Sequence, residues 1–110
     1  MGKVNHHFHI KKMYVPFVAD GSKYLEIRVA DERCIKIVVG DTIIFARVHR
    51  RDVFEIRRYA SFEEMLRHED IGGIMPGWTK ERILRGLRKT YSFAQEALGV
   101  LVFEVAFTDG

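Results

Sequence analysis

Apolar and polar residues alternate over residues 24–29, with Leu25, Ile27 and Val29 on one side and Tyr24, Glu26 and Arg28 on the other. A period of two marks a strand with one buried face. The same period would turn Ile35, Ile37 and Val39 inward over residues 34–39. Gly40-Asp41 then turns the chain into a strand over 42–48, and Arg50-Arg51-Asp52 leads into another over 53–59. A short strand is expected at 7–10. Residues 100–107 are apolar at nearly every position, as in a strand buried on both faces and central in its sheet.

The period changes to the helical one in four places. Tyr14, Phe17 and Val18 share a face over 12–19, with Pro16 tolerable in a first turn and Gly21 as the stop. Ser61-Phe62-Glu63-Glu64 reads as a capping box that starts a helix to about residue 68. Thr79 caps a helix over 80–89 whose buried stripe is Ile83, Leu84 and Leu87. Ser92-Phe93-Ala94-Gln95 is a second capping box, opening a single turn ended by Gly99. Residues 70–78, with Gly72-Gly73 and Pro76-Gly77, read as a loop. Short strands at close spacing imply an α+β fold: a mostly antiparallel β-barrel, closed or nearly so, with three or four short helices around it.

The length of 110 residues fits one domain over 1–110, and 47% hydrophobic residues suffice for a core. Residues 1–10 are polar and His-rich, unlike a signal peptide, and no apolar run could cross a bilayer. Cys34 is the only cysteine, so no internal disulfide can form, and a reducing cytoplasm is the expected setting. A net charge of +3 permits a nucleic-acid partner without requiring one. Asn5 and Gln95 are the only side-chain amides, and 30% of residues are charged, which points to a thermophilic source.

The stretch Gly21-Ser22-Lys23-Tyr24-Leu25-Glu26-Ile27-Arg28 carries the most chemistry. Glu26 and Arg28 lie two apart on a strand and point the same way, with Lys23 at the turn before them. A forked guanidinium and a carboxylate can read a planar polar ligand, the first donating to a phosphate or base edge and the second accepting from an exocyclic amine. The competing reading is a solvated strand face with one surface ion pair.

The order Gly-x-Lys-x-x-Glu-x-Arg after a short amphipathic helix resembles the signature of the ASCH domain family. The resemblance continues through Lys36-Ile37-Val38-Val39-Gly40-Asp41-Thr42-Ile43-Ile44-Phe45 and Tyr59-x-Ser61-Phe62-Glu63-Glu64-Met65-Leu66. It extends to Pro76-Gly77, Tyr91 and Gly99-Val100-Leu101-Val102-Phe103-Glu104-Val105. This resemblance implies a PUA-like barrel with an RNA-binding cleft lined by Gly21, Lys23, Glu26 and Arg28, with Tyr91 a further candidate. An enzymatic branch, the small bacterial acetylcytidine amidohydrolases, is similar in size. Its catalytic lysine matches Lys23, but its threonine position holds Glu26 here, so Lys23 and Glu26 would have to be the catalytic pair. Its distant acid could fall on Glu63, Glu64 or Glu69.

Other residues offer weaker signals. His7 and His9 would share a strand face with His6 opposite, so the three cannot converge locally, and no metal is expected. No cofactor is expected either. Cys34 reads as a small buried side chain rather than a nucleophile. His49-Arg50-Arg51 and Arg57-Arg58 could contact phosphates if they share a rim with Lys23. Trp78 either stacks on a base or plugs the barrel end. The expected partner is RNA or a nucleotide, with the chain a monomer away from membranes. A protein partner held by the apolar segment 71–78 is the third possibility.

Overall fold

In the computed structural model, residues 3–108 are described; residues 1, 2, 109 and 110, part of the expected 1–110 domain, lie outside the described residues. Five strands form one curled, mixed sheet: β1 (Asn5–Phe8), β2 (Leu25–Val29), β3 (Thr42–Phe45), β4 (His49–Tyr59) and β5 (Val100–Phe107). Their order in the sheet is β1-β3-β4-β5-β2. β1 and β3 run parallel, and every other pairing is antiparallel. The α+β expectation holds, with the barrel open as a half-barrel. Around it pack α1 (Val15–Ala19), α2 (Phe62–His68), α3 (Ile71–Ile74), α4 (Lys80–Thr90) and α5 (Phe93–Glu96).

β5 organises two cores. Leu101, Phe103 and Val105 enter the core within the curl, beside Phe8, Ile43, Phe45 and Val53. Val100 and Val102 face the helices, beside Leu25, Ile27, Val29, Phe62, Met65 and Ile83. This two-sided burial is why β5 is apolar at nearly every position. Two strands separate β1 from β5 in the sheet, yet the Phe8 and Phe103 rings lie 6.0 Å apart, edge to face. Only a curled sheet brings them together. A register shift between Val53 and Glu55 marks a bulge in β4, which increases local twist. Side chains span the gap between the edge strands: Arg28 Nη2 donates to the His9 carbonyl at 3.0 Å, and the Arg33 guanidinium donates to that of His7.

The caps follow the sequence closely. Thr79 accepts from the Arg82 N–H, and Ser92 and Gln95 form a complete capping box. Ser61 accepts from the Glu64 N–H, whereas the Glu64 carboxylate reaches back to Ala60 instead of Ser61. Gly21 takes a φ of +83° after α1, and a Cβ there would lie 2.6 Å from the Phe107 ring.

Four local expectations need correction. Residues 34–39 are not a strand: Cys34–Lys36 is a 3-10 turn, with Cys34 and Ile37 buried and Ile35, Val38 and Val39 exposed. Burial thus recurs at three residues, not two. Asp31 accepts from the Cys34 N–H and Asp41 from the Val38 N–H, so side chains take donors a ladder would need. The first strand is Asn5–Phe8 rather than 7–10. β3 stops at Phe45 because Ala46 and Arg47 turn the chain with φ of +51° and +70°, and β4 begins four residues before Val53. Lastly, the supposed loop at 70–78 holds α3, capped by Asp70. Its glycines fit packing, since a Cβ on Gly73 would lie 2.5 Å from the Tyr24 ring.

Candidate functional site

Edge strand β2 sends Leu25, Ile27 and Val29 into the helix-side core, which leaves Glu26 and Arg28 on its other side. Between this edge, Tyr14, the α3–α4 connection and α4 opens a cleft of about 200 Å³. Lys23, Glu26 and Arg28 all line it, together with Tyr91. Ile74, Met75, Ile83 and Leu87 supply apolar walls, and His9 and Lys11 stand at its mouth.

The three charges form one chain of contacts. Lys23 Nζ donates to the carbonyls of Leu25 at 3.1 Å and Ile74 at 2.9 Å, and lies 3.4 Å from Glu26 Oε1. Two backbone carbonyls thus take hydrogen bonds from the ammonium, while Glu26 Oε1 lies within ion-pair reach without a hydrogen bond. Arg28 donates from Nε and Nη2 to one atom, Glu26 Oε2, at 2.9 and 2.5 Å. Its guanidinium also lies over the Phe8 ring, 4.1 Å from the centroid. Burial favours the neutral form of Arg28, but the charge and hydrogen bonds of Glu26 outweigh it and hold the pKa above the ordinary arginine value.

Two polar atoms make no hydrogen bond. Arg28 Nη1 and Glu26 Oε1 have no hydrogen-bond partner among the described residues, although every fully buried side-chain nitrogen or oxygen there has one. Both atoms are therefore accessible, Arg28 Nη1 as a donor and Glu26 Oε1 as an acceptor that also lies within ion-pair reach of Lys23. Tyr14 and Trp78 meet edge to face at 6.0 Å, and Arg82 lies over Trp78 at 3.8 Å. Trp78 is therefore a wall of this cleft, with one face covered by Arg82. Burial pushes the Tyr91 hydroxyl above its ordinary pKa. Burial first, and the Glu26 charge second, do the same to Tyr14.

Other sequence candidates fall outside the cleft. Gly21 shapes the turn before β2 but does not line it. Glu63 pairs with Arg88, Glu64 caps α2, and Glu69 binds Arg57 and Tyr59, so none of the three proposed distant acids reaches it. Arg51 is buried, donating to Val18 and lying over Phe107, so it does not form part of a solvated turn. Arg58 donates to the Leu98 carbonyl. Burial pushes the Cys34 thiol up to about 11, far from a thiolate nucleophile. His6 hydrogen-bonds Asp41 at 2.8 Å, while His7 and His9 are exposed.

Sequence reasoning missed His9, Lys11, Gly86 and Thr90 as lining residues. Gly86 had a visible signal, a glycine in the middle of an otherwise strong helix. His9 and Lys11 had none, because their place depends on how β1 curls round to β2.

The sequence profile of the ASCH domain matches residues 8–108. No curated protein matches the chain. The crystal structure of the hypothetical protein PH0355 superposes with a TM-score of 0.86 at 31% identity, covering 93% of this chain and 97% of that one. The solution structure of protein PF0455 from Pyrococcus furiosus gives 0.77 at 28% identity, covering 93% and 96%. With the profile match spanning nearly all its residues, the chain belongs to the ASCH domain family.

Proposed function

We propose that the protein binds RNA or a nucleotide in the β2–α4 cleft. The observation that carries this reading is the pair of open atoms, Arg28 Nη1 and Glu26 Oε1, set within aromatic walls. A nucleobase edge offers both an acceptor and a donor, which suits a guanidinium beside a carboxylate. Tyr14, Trp78 and Tyr91 supply ring surface for a flat ligand. Arg28 and Glu26 make the contacts in this reading, and Lys23 holds Glu26 in place.

The test is RNA binding by the wild type against Arg28→Ala and Lys23→Ala. Arg28→Ala should weaken binding on the order of tenfold, the loss of one charge-assisted contact. Equal affinity in all three proteins, across several salt concentrations, would remove the idea.

Two alternatives are less well supported. Hydrolysis of a modified nucleoside would need a free lysine and a second acid, but Lys23 is held by two backbone carbonyls and Glu26, and among the described residues Glu26 is the only carboxylate lining the cleft. Docking of a protein on residues 71–78 would need exposed apolar side chains, but Ile74 and Met75 are buried. The proposal includes a cytoplasmic setting and a thermophilic source. The latter is supported by the scarcity of amides and by Arg57, which pairs with Glu55, Glu69 and Glu104.

A further inference from the structure

The cleft is continued on one side by a basic stripe. Arg82, Arg85 and Lys89 of α4 fall within an arc of about 60° on a helix of 3.6 residues per turn. All three are exposed, and none forms an ion pair with another described residue. Arg88 of the same helix is different, since Glu63 and Glu96 bind it. The one acid of α4, Glu81, lies about 80° from Lys89 and about 40° from Arg85 around the axis, towards the α2 side, and forms no ion pair with another described residue. The stripe begins at the lip of the cleft, where Arg82 covers Trp78. Across the mouth stands Lys11, also exposed and without an ion pair among the described residues.

Gly86 lies on the adjoining face of α4 and lines the cleft. A glycine inside a helix is unfavourable relative to alanine. A packing neighbour often explains one, but a Cβ on Gly86 would meet no heavy atom within 4 Å. The bare backbone there leaves room for something outside the protein.

We propose that the cleft's occupant is a single-stranded polynucleotide. One base enters against Gly86, and the flanking phosphates run along Arg82, Arg85 and Lys89. This inference rests on the nucleotide reading of the cleft and adds that the ligand is a chain. A mononucleotide supplies one phosphate, whereas unpaired cations spread over about 10 Å of helix axis match several.

The experiment measures binding of a randomised ten-nucleotide RNA and of the four ribonucleoside monophosphates. It compares the wild type with Arg85→Ala/Lys89→Ala and with Gly86→Ala. The ten-mer should bind the wild type more tightly than any monophosphate. The double substitution should shrink that gap on the order of tenfold at low salt. It should also flatten the slope of log affinity against log salt by about 1.4, two phosphates at roughly 0.7 each. Gly86→Ala should raise the melting temperature by a few degrees and yet weaken both ligands. That pairing of signs excludes a folding defect. If monophosphates bind as tightly as the ten-mer, or the double substitution leaves the gap intact, the polymer inference falls and the cleft reading survives. If neither ligand binds the wild type, the cleft reading falls with it. Tighter binding of duplex RNA than of the single strand would also overturn the inference.

Discussion

Arg28 and Glu26 are joined through a single carboxylate oxygen, which takes both the Nε and the Nη2 donors. The result is a largely buried ion pair in which Arg28 Nη1 and Glu26 Oε1 make no hydrogen bond among the described residues, with Lys23 Nζ 3.4 Å from the latter. Arg28→Ala should therefore cost stability as well as ligand affinity. It leaves Glu26, which is buried, with Lys23 as its only cation among the described residues. Removing one partner of such a pair typically costs on the order of 3 kcal/mol. The double variant Glu26→Gln/Arg28→Met should recover much of that loss in urea denaturation without restoring binding. A double variant less stable than Arg28→Ala would contradict this account.

Lys23 presents the opposite balance. Its ammonium ties β2 to the end of α3 through the Leu25 and Ile74 carbonyls. Charge-assisted hydrogen bonds to buried acceptors contribute about 1.5–3 kcal/mol each. Lys23→Met should then lower unfolding free energy by roughly 3 kcal/mol. Binding measured well below the melting temperature should fall less than it does for Arg28→Ala. The reverse order of effects would make Lys23 a direct ligand contact.

The difference between these two residues marks the limit of what the sequence discloses. Alternation over 24–29 was enough to place Glu26 and Arg28 on one side of a strand, and the strand is there. The double-sided hydrophobicity of β5 announced an interior strand, and β5 lies between β4 and the edge strand β2, one place from the centre. The engagement of Lys23 could not be read, because Ile74 is distant in sequence and belongs to a helix hidden by Gly72 and Gly73. Those glycines look like loop chemistry, yet Gly73 is required by the Tyr24 ring packed against it. Ile35, Ile37 and Val39 mimicked a strand because alternating apolar residues do not reveal that Asp31 and Asp41 claim the local N–H groups.

All four tyrosines should titrate late. The Asp70 carboxylate, accepting from the hydroxyl, pushes Tyr24 up to about 12. Burial, followed by the hydrogen bond to Glu69, raises Tyr59, and burial leads for Tyr14 and Tyr91. A group whose folded-state pKa is raised contributes stability below its unfolded value, about 10 for tyrosine, and loses it as pH climbs through the folded value. Native protein should therefore form tyrosinate above pH 10, with stability declining towards pH 12. Near-ultraviolet titration of the wild type and Tyr24→Phe checks this. A tyrosine ionising at its ordinary value in the folded protein would refute it.

The acid limb of stability should depend on Glu69. Its carboxylate takes two Arg57 donors at 2.7 Å and the Tyr59 hydroxyl, and the side chain is almost fully buried. The Arg57 hydrogen bonds hold its pKa below the ordinary glutamate value, against the opposing effect of burial. A depressed folded-state pKa means the stabilisation is complete above the unfolded value, about 4.3, and is lost as pH falls through the lower folded value. Glu69→Gln should cost on the order of 2 kcal/mol at neutral pH, the loss of a charged partner for Arg57. The gap to wild type should begin to narrow as pH falls below about 4.3, where Glu69 protonates first in the unfolded chain, and close as pH falls through the lower folded value. Urea midpoints across that range provide the measurement. A constant gap at every pH would show that Glu69 stabilises the fold by packing alone, not through its charge.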